Sequence, residues 1–92
     1  MRLIGRARLA SLSGHDRDTA KWVANWTTEL RDAYWKRAAD VAAQFPGVRR
    51  QGNGTFVFPV PRRQVGIQVL MAFSRGVALI LAVEGLEAND GN

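Results

Sequence analysis

From residue 64 to residue 73 every second side chain is apolar: Val65, Ile67, Val69, Met71 and Phe73. A period of two puts alternate side chains on opposite faces of an extended chain, so this run reads as a strand with one buried face. Such a strand needs paired neighbours and a covering layer. Residues 55–60 supply one neighbour, with Phe56, Phe58 and Val60 pointing one way. Pro59 and Pro61 donate no ladder hydrogen bonds, so that strand is expected to be an edge or to fray at its end. Residues 77–84 supply the other neighbour, with Val77, Leu79, Leu81 and Val83 expected on one face. Gly52-Asn53-Gly54, Arg62-Arg63 and Ser74-Arg75-Gly76 make the turns, and residues 48–51 form a further short strand. Gly66 interrupts the long strand, where a glycine marks a bulge or a close approach of backbone.

Before Pro46-Gly47 the period is helical. Asp16 or Asp18 caps a helix expected to run to about Tyr34, with Trp22, Trp26, Leu30 and Ala33 on one stripe. The plain reading of both tryptophans is core packing. Ala38, Val41, Ala42 and Phe45 mark a second, shorter helix that Pro46-Gly47 stops. Residues 2–5 read as a short strand and 7–12 as a helical turn or two. The fold class is therefore α+β: N-terminal helices packed on a small C-terminal antiparallel sheet, in a single domain spanning residues 1–92, with 85–92 a loose tail.

Several chemistries are excluded by composition. No cysteine is present, so disulfides and thiolate metal sites are absent. One histidine and scattered carboxylates make no ligand cluster, and no metal or cofactor is expected. His15, in a polar turn, reads as solvated. No nucleophile elbow and no phosphate-cradling glycine loop occur. No apolar run approaches the roughly 20 residues of a membrane helix, and the apolar runs of residues 1–12 are too short for a secretory signal. A cytoplasmic setting is expected.

Charge points toward a polyanion. The net charge is +5, and between Val41 and Val83 there are five arginines (Arg49, Arg50, Arg62, Arg63, Arg75) and no acidic residue. Arginine's planar fork suits phosphate oxygens. The face of the central strand opposite the apolar set carries Gln64, Gly66 and Gln68, continued by Ile80, Ala82 and Glu84. That mixed surface suits an RNA strand or a partner peptide.

The stretch "AYWKRAADVAAQFPGVRRQGNGTFVF" resembles the HigB family of bacterial toxins, within the wider RelE group. The resemblance rests on Ala33, Trp35, Lys36, Ala39, Asp40, Val41, Phe45, Pro46, Asn53, Gly54, Val57 and Phe58, and extends over about residues 22–90. Residues 1–9 are compatible with it. It implies a RelE-like α+β fold and ribosome-dependent mRNA cleavage, as an endoribonuclease that inhibits translation. It also implies a helix-turn-helix antitoxin (HigA-like) as partner, with operator DNA reached only through that antitoxin.

The chemistry the resemblance implies is attack of a 2′-hydroxyl on the adjacent phosphate, which needs a base, an acid and cations around the transition state. The family's central-strand arginine falls here on Gly66. Its histidine and tyrosine positions fall on Leu86 and Asn89, and only Asp90 of that tail matches. Lys36 and Asp90 are then the catalytic candidates. Lys36, Arg37, Arg62, Arg63, Arg75, Gln64 and Gln68 are the RNA-binding candidates. The alternative is an inactive RelE-fold module that binds RNA, the ribosome or an antitoxin.

Overall fold

A computed structural model describes residues 1–14 and 16–86, with Ser13 described as helical backbone only. It is an α+β structure: β1 (Arg2–Ile4), a 3-10 turn (Arg6–Leu9), α1 (Ala10–Ser13), α2 (Arg17–Asp32), α3 (Ala38–Gln44), β2 (Arg49–Gly52), β3 (Thr55–Pro59), β4 (Val65–Ala72) and β5 (Val77–Gly85). The strands form one sheet in the order β1-β5-β4-β3-β2. Three of the four pairings are antiparallel, but β1 lies parallel to β5, with Arg2 opposite Val77 and Ile4 opposite Leu79. The sheet is therefore mixed, and a strand precedes the helices. The expected all-antiparallel sheet is corrected by this pairing, and the short strand expected at residues 2–5 is found as β1.

Local chemistry explains the helices. Asp16 is the N-cap of α2: its carboxylate accepts the Thr19 N–H at 2.7 Å, one of the donors a helix start leaves open. The helix ends at Asp32, two residues before the expected end, because Ala33 turns to extended backbone. At the start of α3, Asp40 accepts the backbone N–H groups of Lys36 at 2.8 Å and Arg37 at 3.3 Å. Trp35 donates from Nε1 to Gln44 Oε1 at 3.1 Å, and Gln44 donates to Glu29 of α2 at 3.1 Å. The Trp-Lys…Asp…Phe-Pro spacing thus holds α3 against α2.

One face of the sheet is covered by the helices. Val65, Ile67, Val69 and Met71 of the central strand face the core, as their alternation requires, while the strand ends at Ala72 and Phe73 packs against the core from a 3-10 turn (Phe73–Arg75). So do Phe56, Phe58 and Val60. β3 is not an edge, since it lies between β4 and β2. Pro59 is tolerated because β2 pairs only with residues 55–57, so no neighbour there asks for its missing N–H.

The facing of β5 departs from expectation. Val69 pairs with Ile80 and Gln68 with Ala82, so Leu81 is an extra residue, a β-bulge. The bulge shifts the alternation by one. Ala78 and Ile80, both 0% exposed, face the core before it, and Val83 faces the core after it. Val77 and Leu79 lie on the other face, opposite Ala72 and Leu70. Ile80 therefore leaves the open-face set, while Ala82 and Glu84 stay in it.

Gly85 pairs with Val65, and the Leu86 N–H donates to the Gln64 carbonyl at 2.8 Å. Strand pairing and this hydrogen bond thus include the first two residues of the segment expected to be loose. Residues 87–92 lie outside the described residues.

Gly5, which joins β1 to the first helical turn, has φ +94°, and a Cβ there would sit 2.7 Å from the Ile80 carbonyl oxygen. Left-handed backbone costs an ordinary residue about 1–2 kcal/mol before any clash is counted. Gly5→Ala is expected to destabilise the domain by about 2 kcal/mol or more, read as a lower urea midpoint with unchanged slope.

Candidate nucleic-acid interface

On the open face the decisive position is Gly66. Its neighbours across the sheet are Pro59 and Glu84. A Cβ on Gly66 would stand 2.5 Å from Val57 Cγ1 and 3.1 Å from Leu86 Cδ2. Val57 is 1% exposed although it lies on this face. The space over Gly66 is therefore packed by two apolar side chains, one of them delivered by the Leu86–Gln64 backbone hydrogen bond. The resemblance assigns chemistry to Gly66 and Leu86, and the space a side chain at Gly66 would need is filled by the hydrocarbon of Leu86 and Val57. Asn89 and Asp90 lie outside the described residues.

Beside this patch Gln68 donates to Gln51 at 3.0 Å, and Gln51 reaches Glu84 at 3.5 Å. Gln64 is exposed, with its carbonyl engaged by Leu86. Glu84 is the one carboxylate in this row, and its other members are amides, which do not exchange protons in the working range.

The basic candidates divide between the two ends of β4, eight residues and so roughly 25 Å apart. They do not rim one surface. At the first end Arg63 forms an ion pair with Asp16, and its Nε donates to Thr19 Oγ1 at 3.3 Å. Arg62 lies 3.9 Å from Asp18, and both are exposed. Arg63 is thus tied into the N-cap of α2, and Arg62 faces a carboxylate of the same helix. Arg62 also has φ 63°, an uncommon backbone for an arginine. Arg50 lies 6.0 Å from the Phe56 ring centre, and Arg37 is the exposed N-cap of α3.

At the other end Lys36 and Arg75 do come together. The C-terminus of α2, the start of β1 and the β4–β5 turn converge on a cleft of about 640 Å³ lined by Arg2, Arg31, Tyr34, Lys36 and Arg75 among others. Backbone contacts fix this convergence. The Met1 nitrogen donates to the carbonyls of Leu30 at 3.1 Å, Arg31 at 3.0 Å and Ala33 at 2.7 Å. The Arg2 N–H donates to the Gly76 carbonyl at 2.7 Å. Buried Ala33 and Trp35 contribute apolar lining. Among the described residues, none of the four cations has a carboxylate within 4.0 Å, and no acidic residue lines the cleft. Tyr34 stands 92% exposed.

Arg2, Arg31 and Tyr34 were not singled out in the sequence. Tyr34 carried a signal: it is an aromatic residue off the apolar stripe, between Arg31 and Lys36. Arg2 carried none, because only the β1–β5 pairing brings it here.

Two outcomes follow from this geometry. Overpacking a filled site costs about 1–3 kcal/mol, so Gly66→Ala is expected to destabilise by that order. Combined with Val57→Ala, the total is expected to fall short of the sum by about 0.5 kcal/mol or more, as neighbours couple; urea denaturation of the two single variants and the double variant measures this. At the other site, the Thr19 N–H holds the Asp16 carboxyl below its ordinary value of 3.8, helped by the Thr19 hydroxyl and Arg63 against partial desolvation. A lowered carboxyl stabilises the fold fully above that ordinary value, and the gain is lost as pH falls through the lowered one. Asp16→Asn should therefore flatten the acid limb of a stability–pH curve and leave its shape near neutrality unchanged.

No protein-family model matches this chain, and no curated protein matches it as a relative.

Proposed function

We propose that the chain is a HigB-like domain of the RelE group that acts on translation by binding RNA at the ribosome, without cutting it. The observation that carries this reading is the filling of the space over Gly66 by Val57 and Leu86. Cleavage through a 2′-hydroxyl requires a base, an acid for the leaving oxygen and a cation beside the phosphate. The positions that the resemblance assigns to arginine and histidine hold no group able to move a proton or carry charge. Lys36 lies in the cleft at the opposite end of β4 from Gly66, so the two cannot serve one phosphate. Loss of a positioned acid or base costs about 10²–10⁴-fold, and loss of a charge-stabilising donor about 10²–10³-fold. Binding needs neither, and the carboxylate-free cations support it.

The same reading brings a helix-turn-helix antitoxin as the neutralising partner, operator DNA through that antitoxin alone, and a bacterial cytoplasm as the setting. Occupancy of the ribosome or titration of the antitoxin would then be the working principle.

Induced expression in a bacterial host lacking the antitoxin is the test. The expected result is slowed growth and reduced protein synthesis, with a map of mRNA 5′ ends that matches uninduced cells. New 5′ ends at the ribosomal A site would overturn the reading in favour of an active endoribonuclease. Undisturbed growth with no association of the protein with ribosomes would overturn RNA binding itself.

A further inference from the structure

We infer that the cleft formed by Arg2, Arg31, Lys36 and Arg75 is a binding site for an unpaired polynucleotide strand, with one base stacked on Tyr34. This deepens the RNA-binding reading above and rests on it.

Four cations from three separate segments converge on one concavity, and among the described residues no carboxylate lines it. At the other end of β4, Arg63 and Arg62 face Asp16 and Asp18 instead. Uncompensated cations around a concave surface concentrate the field on an anion. Their type is suited to phosphate: three of the four are arginines, whose forks match phosphate oxygens in pairs.

Tyr34 decides between a strand and a lone phosphate. It is the only tyrosine in the chain, and it is 92% exposed. Residues 33–37 form no regular element, yet the segment is anchored on both sides of Tyr34: the Met1 nitrogen holds the Ala33 carbonyl, and Trp35 is bonded to Gln44. The ring therefore stands on a fixed piece of backbone beside the cations. Packing inside the domain does not account for it. An aromatic face beside a track of cations is the arrangement that holds single strands, where each base offers a face and each linkage a charge. In a duplex the bases are already stacked on one another, so the ring has no base to receive.

The test is fluorescence anisotropy with labelled oligouridylate, the matching DNA strand and a duplex RNA of the same length, across a salt series. The single strands are expected to bind more tightly than the duplex. The log–log salt slope should be about −3, from four phosphate contacts at about 0.7 each. Tyr34→Ala should weaken strand binding roughly 5- to 150-fold, and Tyr34→Phe should leave it near wild type, since the ring is what stacks. Arg31→Ala with Arg75→Ala should reduce the magnitude of the slope by about 1.4. Preference for the ribo- over the deoxyribo-strand would identify RNA as the natural source, and equal binding would leave the site a reader of any unpaired strand. Binding in which Tyr34→Ala matches wild type, or in which duplex equals single strand, overturns this inference and leaves general RNA binding standing. No binding to any of the three at low salt overturns both.

Discussion

The fold depends on a chain of aromatic contacts that joins the helices to the sheet. Trp22 stacks on Trp26 at 6.2 Å between centres, Trp26 meets Phe58 edge-on at 5.4 Å, Phe58 meets Phe45 at 5.2 Å, and Phe45 meets Trp35 at 5.9 Å. Edge-to-face pairs contribute about 0.5–1.5 kcal/mol each beyond the area they bury. They also fix orientation, because each ring accepts its neighbour over a narrow range of angles. The arrangement tolerates a defect: Trp26 Nε1 is buried and finds no acceptor among the described residues, a loss of about 1–3 kcal/mol set against the packing of its ring. With α2 held this way, its N-terminus meets the β3–β4 turn and its C-terminus meets β1 and the β4–β5 turn.

Those two ends have opposite electrostatic outcomes. At the N-terminus of α2 the carboxylates of Asp16 and Asp18 meet Arg63 and Arg62, so charge is consumed in holding the helix. At the C-terminus the open carbonyls are taken by the Met1 nitrogen, and among the described residues the side-chain cations around them meet no carboxylate. Among the described residues, four of the chain's cations thus meet in one cleft that no carboxylate lines. That place is not the middle of the open face, where hydrocarbon closes the Gly66 site.

Much of this was legible in the sequence. The alternation of residues 65–73, the Asp16 cap and the Pro46-Gly47 stop each rest on one local rule, and each is found. What was not legible has identifiable causes. In residues 77–83 both faces are apolar, so an inserted residue leaves no mark on the pattern, and the Leu81 bulge passed unseen. Three residues at the N-terminus carry too little periodicity to reveal a strand partner 75 positions away, from Arg2 to Val77. The residues that carry the family resemblance serve mainly to pack and cap α3, so they inform on fold more than on chemistry. The cleft escaped because its members come from three segments, and only one of the expected pairs, Lys36 with Arg75, belongs to it.

The parallel pairing of β1 with β5 also orders events in time. Arg2 is made 75 residues before Val77, its partner in the strand that seats it. A polypeptide still threaded through the machine that makes it can fold its helices early, as local contacts form readily. It cannot bring Arg2 beside Arg75 until residues 77–79 have emerged and the last edge has closed. The cation cluster therefore forms late, and a nascent chain that has not yet released residues 77–79 passes its own assembly line without it.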